Sequence, residues 1–310
     1  MNADIWHRFS TRQPSSQSCQ ALSSISIPDG EPDIQNQISE AENRWIIDYF
    51  QQFHLPMMVR AGLSLDDLRI LEIGGGFGQL AYGTVNSVRP QYYVATDVFP
   101  TLVSTMTSNF KKWAIPNCFS ALLDPNENEL FLRPNSFNVI QSHSVLHHVL
   151  HYQSAVERLY QKLDSPGIMI FCEPCLDAYV YFQTLTKAFR DSHSVSPQLA
   201  LELDYLDLYI DQRCGVDREN AKFLAQFGAG DKYLYSIYDL QRLAETVGAK
   251  LYIQKDVRDA RGNFEFELKI RKALESDVLA FSNFLDRILP AGVNQGYFSD
   301  LRQVFCLIKE

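Results

Sequence analysis

A short apolar segment that runs directly into a glycine-rich turn constrains the fold of this chain more than any other feature. Residues 70–73 have the length and composition of a buried parallel strand, and Glu72 stands near its end. The apolar residues from Leu80 onward predict a helix after the turn. Glycine lets the backbone turn sharply and lets a ligand lie against bare main chain. The pattern therefore predicts a strand–turn–helix unit with a ligand at the turn, whose glycines are Gly74, Gly75, Gly76 and Gly78.

Further segments with the composition of buried strands follow at intervals that leave room for helices. Together with residues 67–73 they make seven expected strands, at 92–97, about 117–122, 137–142, 168–172, 250–257 and 303–309. This alternation predicts an α/β fold, a doubly wound, mostly parallel sheet of seven strands. In such a sheet the ligand lies beyond the carboxyl ends of the strands. Asp97, His143 and Glu173 all stand at that edge.

Four of these segments, in this order, resemble the motifs of the class I S-adenosylmethionine (SAM)-dependent methyltransferases. They are the acid–glycine turn at 72–78, the strand ending in Asp97, the segment 136–148 and the segment 159–174. The glycine spacing G-x-G-x-G also differs from the G-x-G-x-x-G of dinucleotide-binding enzymes. The resemblance implies a Rossmann-like fold, SAM as the cofactor and methyl transfer as the activity.

The resemblance also implies a cofactor site along the rim of the sheet. Asp97 is expected to hold the ribose hydroxyls, and Glu72 to orient the methionine end. Asp124 is the candidate for binding the edge of the adenine ring, and Asn126 is the competing candidate for this role. The other positions expected to line the cofactor are the four glycines of the turn, Val98, Gln141, Ser142 and His143.

Clustered histidines and an acid after the fifth strand are candidates for acid–base chemistry. We predict that His148 is a general base oriented by Glu173, with His147 as the alternative, because imidazole titrates near neutral pH. A purely structural role fits the sequence equally well. His143, His147 and His151 are spaced for chelation on a helix, but His143 ends a strand and no acid lies nearby. We therefore predict no metal site.

The chain divides into five segments by composition and pattern. Tyr179 and Tyr181 closely follow the fifth strand and are expected to contact the substrate. The helical insertions predict a substrate lid, although they could instead thicken the domain or form a homodimer interface. The expected segments are a flexible N-terminus at 1–36, a helical cap at 37–64, the SAM-binding core at 65–174, a helical lid at 175–248 and the last strands with a second insertion at 249–310.

Composition limits the partners that this chain is expected to have. Its 28 basic and 37 acidic residues give a net charge of −9 without a basic cluster, which argues against nucleic acid. It has no apolar run of about 18 residues that would predict a membrane helix. Six scattered cysteines fit a reducing cytoplasm. We predict a cytoplasmic enzyme of biosynthetic tailoring that methylates a small molecule at a hydroxyl oxygen. The alternatives are N- or C-methylation of an amino-acid or peptide derivative, and a SAM-fold binding module without transfer.

Overall fold

A seven-stranded sheet forms the centre of the molecule, as predicted. The computed structural model describes residues 3–11, 44–127, 130–214, 220–228, 230–254, 260–289 and 300–310. The strands are β1 Arg69–Ile73, β2 Tyr92–Asp97, β3 Cys118–Leu122, β4 Phe137–His143, β5 Leu163–Pro174, β6 Lys250–Gln254 and β7 Arg302–Lys309. Their order is β3-β2-β1-β4-β5-β7-β6, with β7 antiparallel to both neighbours and the other pairs parallel. The predicted Rossmann-like, doubly wound fold is confirmed, and the carboxyl ends of β1, β2, β4 and β5 share one edge.

Helices cover both faces of the sheet and extend beyond its carboxyl edge. They are α1 Ala3–Phe9, α2 Arg44–Tyr49, α3 Leu55–Arg60, α4 Gln79–Val85, α5 Pro100–Lys112, α6 Tyr152–Tyr160, α7 Leu176–Ser192, α8 Pro197–Cys214, α9 Ala221–Leu224, α10 Ile237–Val247, α11 Ala260–Ile270 and α12 Glu275–Ile288. A π-helical turn, Phe50–His54, joins α2 to α3. No helix among these residues is long and apolar enough to cross a bilayer.

The three largest hydrophobic clusters of the described residues hold these layers together. Two of them lie on the opposite faces of the sheet, as the alternating inward and outward side chains of its strands require. The third cluster is formed mainly by α7, α8, α11 and α12, which we call the helical additions. These helices therefore pack chiefly on one another.

The first residues of the chain do not behave as the flexible segment that composition predicted. Helix α1 buries Trp6 and Phe9, which are 2% and 0% exposed. The Phe9 ring lies 5.5 Å from the rings of Tyr92 and Phe119 on the sheet. Burial of each aromatic side chain stabilises the fold by about 1.5–3 kcal/mol. The expectation was wrong for residues 3–11 because the polar average of the segment hid two aromatic anchors, while residues 12–36 lie outside the described part.

A buried hydrogen-bond network connects the π-helical turn to the sheet beneath the glycine turn. His54 Nδ1 lies 3.0 Å from Gln141 Oε1, and Gln141 Nε2 donates to the Tyr93 hydroxyl at 2.8 Å. The Tyr93 hydroxyl in turn donates to Glu72 Oε2 at 2.6 Å. Burial lowers the pKa of His54 to about 3, because the imidazolium would lose its hydration. His54 is therefore a neutral donor that fixes Gln141 and, through Tyr93, Glu72.

Stability should depend on pH through His54. In the unfolded chain its pKa is about 6.5, so acidification below that value protonates the unfolded state first. The contribution is fully present well above pH 6.5 and falls by up to about 1.4 kcal/mol per pH unit as the pH moves toward 3. Urea unfolding between pH 7.5 and pH 5 measures this slope. We expect His54→Gln to flatten the profile and the exposed control His151→Gln to leave it unchanged; an equal slope in both variants contradicts the assignment.

Candidate active site

The turn after β1 presents bare backbone at the carboxyl edge of the sheet. Gly74, Gly76 and Gly78 have positive φ angles of +68°, +55° and +90°, a region that side chains disfavour. A Cβ at Gly74 would overlap the side chain of Val145, whereas at Gly76 the nearest atom would be Gln79 Oε1 at 3.5 Å. At Gly76, therefore, the positive φ angle disfavours a side chain, whereas the neighbouring protein atoms leave room for one.

A cleft of about 240 Å³ lies over this turn, and we call it the glycine cleft. Its lining comes from the turn, from β1, from helices α2, α4 and α5, and from His143 of β4. Its lining residues are Trp45, Ile46, Glu72, Gly74, Gly75, Gly76, Phe77, Gln79, Leu80, Leu102 and His143. The cleft thus combines an apolar wall with one buried carboxyl group.

Two acidic residues predicted to bind the cofactor lie close to the turn. Asp97 accepts hydrogen bonds from the backbone N–H groups of Gly76 and Phe99, both at 3.0 Å. Burial raises the pKa of Asp97, against the opposing effect of these hydrogen bonds. Burial also raises the pKa of Glu72, to about 8. The hydrogen bond from Tyr93 opposes this increase, and the charge of Asp97 adds to it. A cationic ligand group beside Glu72 would therefore favour its ionised form.

The remaining residues predicted for the cofactor are divided between the rim and the interior. Asp124 and Asn126, which competed for the adenine role, form one turn in which Asp124 Oδ1 accepts from the Asn126 backbone at 2.8 Å. The side chain of Gln141 points into the buried network described above, and Ser142 is buried. Of β4, therefore, only His143 lines the glycine cleft, where its ring lies 4.9 Å from that of Tyr49.

Glu173 at the end of β5 holds a short 3-10 turn, Leu146–His148, against the sheet. Its Oε1 accepts from the Leu146 backbone at 2.8 Å and from Val145 at 3.2 Å, and its Oε2 accepts from the His147 backbone at 3.2 Å. The same Oε2 lies 2.5 Å from His147 Nδ1. Glu173 is 1% exposed, and both of its carboxyl oxygens contact the turn or the imidazole of His147.

The partner of Glu173 corrects the predicted pairing with His148. The ring of His147 contacts Glu173, whereas the side chain of His148 is 38% exposed and lies near Asp231 instead. His147, the alternative in the sequence prediction, is the residue that contacts Glu173.

Asp231 is a site residue that sequence reasoning missed. It precedes α10, and its Oδ1 lies 3.3 Å from His147 Nε2 and 3.6 Å from His148 Nδ1. Its Oδ2 accepts from the Tyr209 hydroxyl of α8 at 2.8 Å. The expectation that no acid lies near the histidines was therefore wrong, because the long insertion brings Asp231 back to them. No local sequence signal marks this contact.

Opposing effects set the charges of this group. Burial lowers the pKa of His147, but the carboxylates of Glu173 and Asp231 outweigh burial and raise the pKa to about 9. Burial and the neighbouring His147 together lower the pKa of His148. The pKa of Asp231 is lowered, since its hydrogen bond and charge interaction with His147 outweigh burial. The two carboxylates thus make the imidazole of His147 a stronger base than a free imidazole, and the ring must release its own proton before it can accept another.

A second cleft of about 400 Å³ opens beside Asp231, and we call it the polar cleft. Its lining residues are Tyr179, Glu202, Tyr209, Asp231, Glu267, Ile270, Arg271, Lys272 and Arg302. Tyr179, predicted to contact the substrate, lines this cleft, whereas the ring of Tyr181 packs 5.9 Å from that of Phe264 in the helical additions. His147 contacts Asp231, which lines the polar cleft, whereas His143 at the end of β4 lines the glycine cleft.

Residues 71–171 match a protein family described as "Methyltransferase domain". The reducing polyketide synthase Preu2 of Preussia isomera is 29% identical over 114 residues, which are 36% of this chain and 5% of that protein. The probable polyketide synthase 40 of Dictyostelium discoideum is 28% identical over 131 residues, with the same coverages of 36% and 5%. The chain thus spans about 5% of the length of these curated relatives.

Two solved structures share the fold over most of this chain. The CurJ carbon methyltransferase gives a TM-score of 0.51 at 12% identity, covering 89% of this chain and 58% of that one. Phosphoethanolamine N-methyltransferase 2 of Haemonchus contortus, in complex with SAM, gives 0.51 at 16% identity with the same coverages. Residues 71–171 thus match a methyltransferase domain, and the strand order and the glycine turn agree with the fold of the class I SAM-dependent methyltransferases. SAM is the cofactor of that class.

Proposed function

We propose that this protein transfers a methyl group from SAM to a small-molecule acceptor, with His147 as the general base. The observation that carries the proposal is the buried contact of 2.5 Å between Glu173 and His147 Nδ1, beside Asp231 of the polar cleft. Glu173 fixes the ring so that Nε2 faces away from the sheet, toward Asp231 of the polar cleft. A base held in this way is what proton removal from an acceptor requires.

The glycine cleft is proposed to hold SAM, which supplies a methyl group on a positively charged sulfur. Bare backbone at Gly76 leaves room for close ligand approach, and the apolar wall formed by Leu80 and Leu102 suits an adenosine group. Glu72 would face the cationic end of the ligand. Its pKa is high without a ligand, as is expected for a buried carboxyl group that has no positive charge beside it. Asp97 would accept from the ribose hydroxyls.

Asp97→Ala should weaken SAM binding at least tenfold, because the two ribose hydrogen bonds to a charged acceptor are worth roughly 1.5–3 kcal/mol each before water compensates. Calorimetric titration measures the affinity, and urea unfolding shows whether the variant remains folded. Asp66→Ala, at an exposed acid before β1, is the matched control and should bind SAM as the wild type does. Equal affinity in the two variants would refute the ribose assignment.

We infer that the acceptor atom is a carbon activated by neighbouring carbonyl groups. The related segments belong to polyketide synthases, and polyketide chains carry methylene carbons between carbonyls. Such a carbon becomes a nucleophile only when a base removes its proton, so the Glu173–His147 pair fits this acceptor. The proton would pass to His147 Nε2, and the electron pair left on carbon would form the new bond to methyl. The bond between methyl and sulfur would break at the same time, with its electron pair left on the sulfur of the departing S-adenosylhomocysteine.

A hydroxyl oxygen, which the sequence favoured, remains the second candidate acceptor. The polar cleft supports it, because Tyr179, Tyr209 and Arg302 offer hydrogen bonds to an oxygen-rich molecule. An amine has less support, since its neutral form attacks without a strong base.

Isotope-labelled products distinguish these acceptors. Purified protein and SAM with a ¹³C-labelled methyl group are incubated with a β-ketoacyl thioester or with a phenol of similar size. We expect S-adenosylhomocysteine and a methyl-on-carbon ¹³C signal with the thioester. A methyl-on-oxygen signal with the phenol alone would overturn the carbon acceptor and favour the hydroxyl. If neither probe yields S-adenosylhomocysteine above the rate without acceptor, both acceptor assignments fail and a binding module becomes the better interpretation.

A further inference from the structure

Three nitrogen and oxygen atoms from two distant segments converge beside the polar cleft. They are His147 Nε2, His148 Nδ1 and Asp231 Oδ1, and all lie within 4.8 Å of one another. The oxygen is 3.3 Å from the first nitrogen and 3.6 Å from the second. Tetrahedral zinc has bonds of about 2.0–2.2 Å, which separates its ligand atoms by about 3.3–3.6 Å. The two distances to Asp231 have the values expected for edges of such a tetrahedron, and the two nitrogens lie within 4.8 Å of each other.

Groups behind two of these side chains already orient them toward the shared point. His147 Nδ1 contacts Glu173 Oε2 at 2.5 Å, which directs Nε2 away from the sheet. Asp231 Oδ2 accepts from the Tyr209 hydroxyl at 2.8 Å, which directs Oδ1 to the histidines. Metal-binding histidines commonly have a carboxylate on their second nitrogen, because it fixes the tautomer and strengthens the ligand.

A simple ion pair between Asp231 and His147 accounts for only part of this geometry. His148 Nδ1 is buried and makes no hydrogen bond among the residues that the structure describes, and 3.6 Å to Asp231 is too long for one. A cation between the three atoms would satisfy both nitrogens and the oxygen at once. Asp231 also lines the polar cleft, which gives an ion a path from solvent.

We propose that His147, His148 and Asp231 bind one divalent transition-metal ion of the zinc type, and that the bound ion blocks methyl transfer. Imidazole nitrogen and carboxylate oxygen are suitable ligands for Zn²⁺, and three protein ligands leave a fourth position for water. The metal would occupy the lone pair of His147 Nε2 that must accept the proton of the acceptor. This inhibition rests on the proposed function, whereas metal binding itself does not.

Titration with Co²⁺ tests the site directly, because tetrahedral Co²⁺ absorbs visible light strongly. Protein without a histidine tag is treated with a chelator, dialysed and titrated with CoCl₂. We expect a tetrahedral visible band that saturates at one equivalent and disappears on addition of Zn²⁺. His148→Ala and Asp231→Asn should each weaken binding at least tenfold, about 1.4 kcal/mol. His151→Ala, an exposed histidine outside the cluster, should bind as the wild type does.

Two results would overturn the metal site. One is the absence of a Co²⁺ band in the wild-type protein, and the other is a band that neither His148→Ala nor Asp231→Asn weakens. Because His148 is partly exposed, its alanine variant should retain the wild-type unfolding temperature, which circular dichroism verifies.

A turnover measurement with Zn²⁺ separates the metal site from the proposed function. Once an acceptor supports turnover, saturation of the site should lower kcat at least tenfold, and a chelator should restore it. Tight Co²⁺ binding with unchanged turnover in Zn²⁺ would overturn both the inhibition and the role of His147 as the base. The metal site itself would still stand. A failed Co²⁺ titration would remove the site and leave the proposed function unaffected.

Discussion

Replacement of His147 by alanine should lower kcat by about 10² to 10⁴, the usual loss when a general base is removed. SAM affinity should hardly change, because the ring contacts Glu173 and Asp231 and does not line the glycine cleft. Single-turnover kinetics with labelled SAM measure the chemical step, and calorimetry measures the affinity.

Two further variants distinguish a base from a structural histidine. His148→Ala should lower kcat by less than His147→Ala, since His148 does not contact Glu173. Glu173→Gln should lower kcat and also the stability of the 3-10 turn, because the amide places a donor beside backbone N–H groups that the carboxylate now accepts from. If kcat of His147→Ala stays within about threefold of the wild type, alignment alone drives transfer and the base is not needed.

Gly76→Ala should reduce SAM affinity by about a hundredfold, or about 2.8 kcal/mol. The added methyl group meets no protein atom closer than Gln79 Oε1 at 3.5 Å. Because Gly76 lines the glycine cleft, the methyl group would take up space that the ligand is expected to fill. Calorimetric titration with S-adenosylhomocysteine measures the loss, and thermal unfolding measures the cost of a side chain at φ +55°.

Gly62→Ala is the matched control for this substitution. Gly62 has φ +75°, and a Cβ added there would meet no heavy atom within 4 Å, but the residue lies after α3 and outside the glycine cleft. Both variants should therefore lose about 1–2 kcal/mol of stability from backbone strain. Only Gly76→Ala should lose affinity, and equal affinities in the two variants would contradict the cofactor assignment of the turn.

The parts of this molecule that sequence predicted well are those encoded locally. Strand β1, the glycine turn and Asp97 follow from an apolar run, glycine chemistry and the regular spacing of a β-α-β unit. The end of α10 at Gly248 is also encoded locally, because a left-handed C-cap at φ +68° favours glycine.

The parts that sequence did not predict depend on contacts between distant segments. Asp231 reaches the histidines only because α7 and α8 bring the chain back across the edge of the sheet. The choice between His147 and His148 depends on the rotation of one 3-10 turn, which no periodic pattern encodes. Helix α1 was missed for a similar reason. Its segment is polar on average, and its two aromatic residues are buried only because they pack on a distant part of the chain that local sequence does not reveal.

The separate hydrophobic cluster of the helical additions has a consequence for how such a chain can change. Its buried residues, such as Phe182, Phe264 and Phe281, are mainly in contact with one another, while the sheet that carries the glycine turn has two clusters of its own. Under the proposed function, substitutions that repack this cluster should change the polar cleft, to which Tyr179 of the cluster contributes, more than they change the glycine turn. Descendants of such a protein would then acquire a new acceptor and keep the same methyl donor.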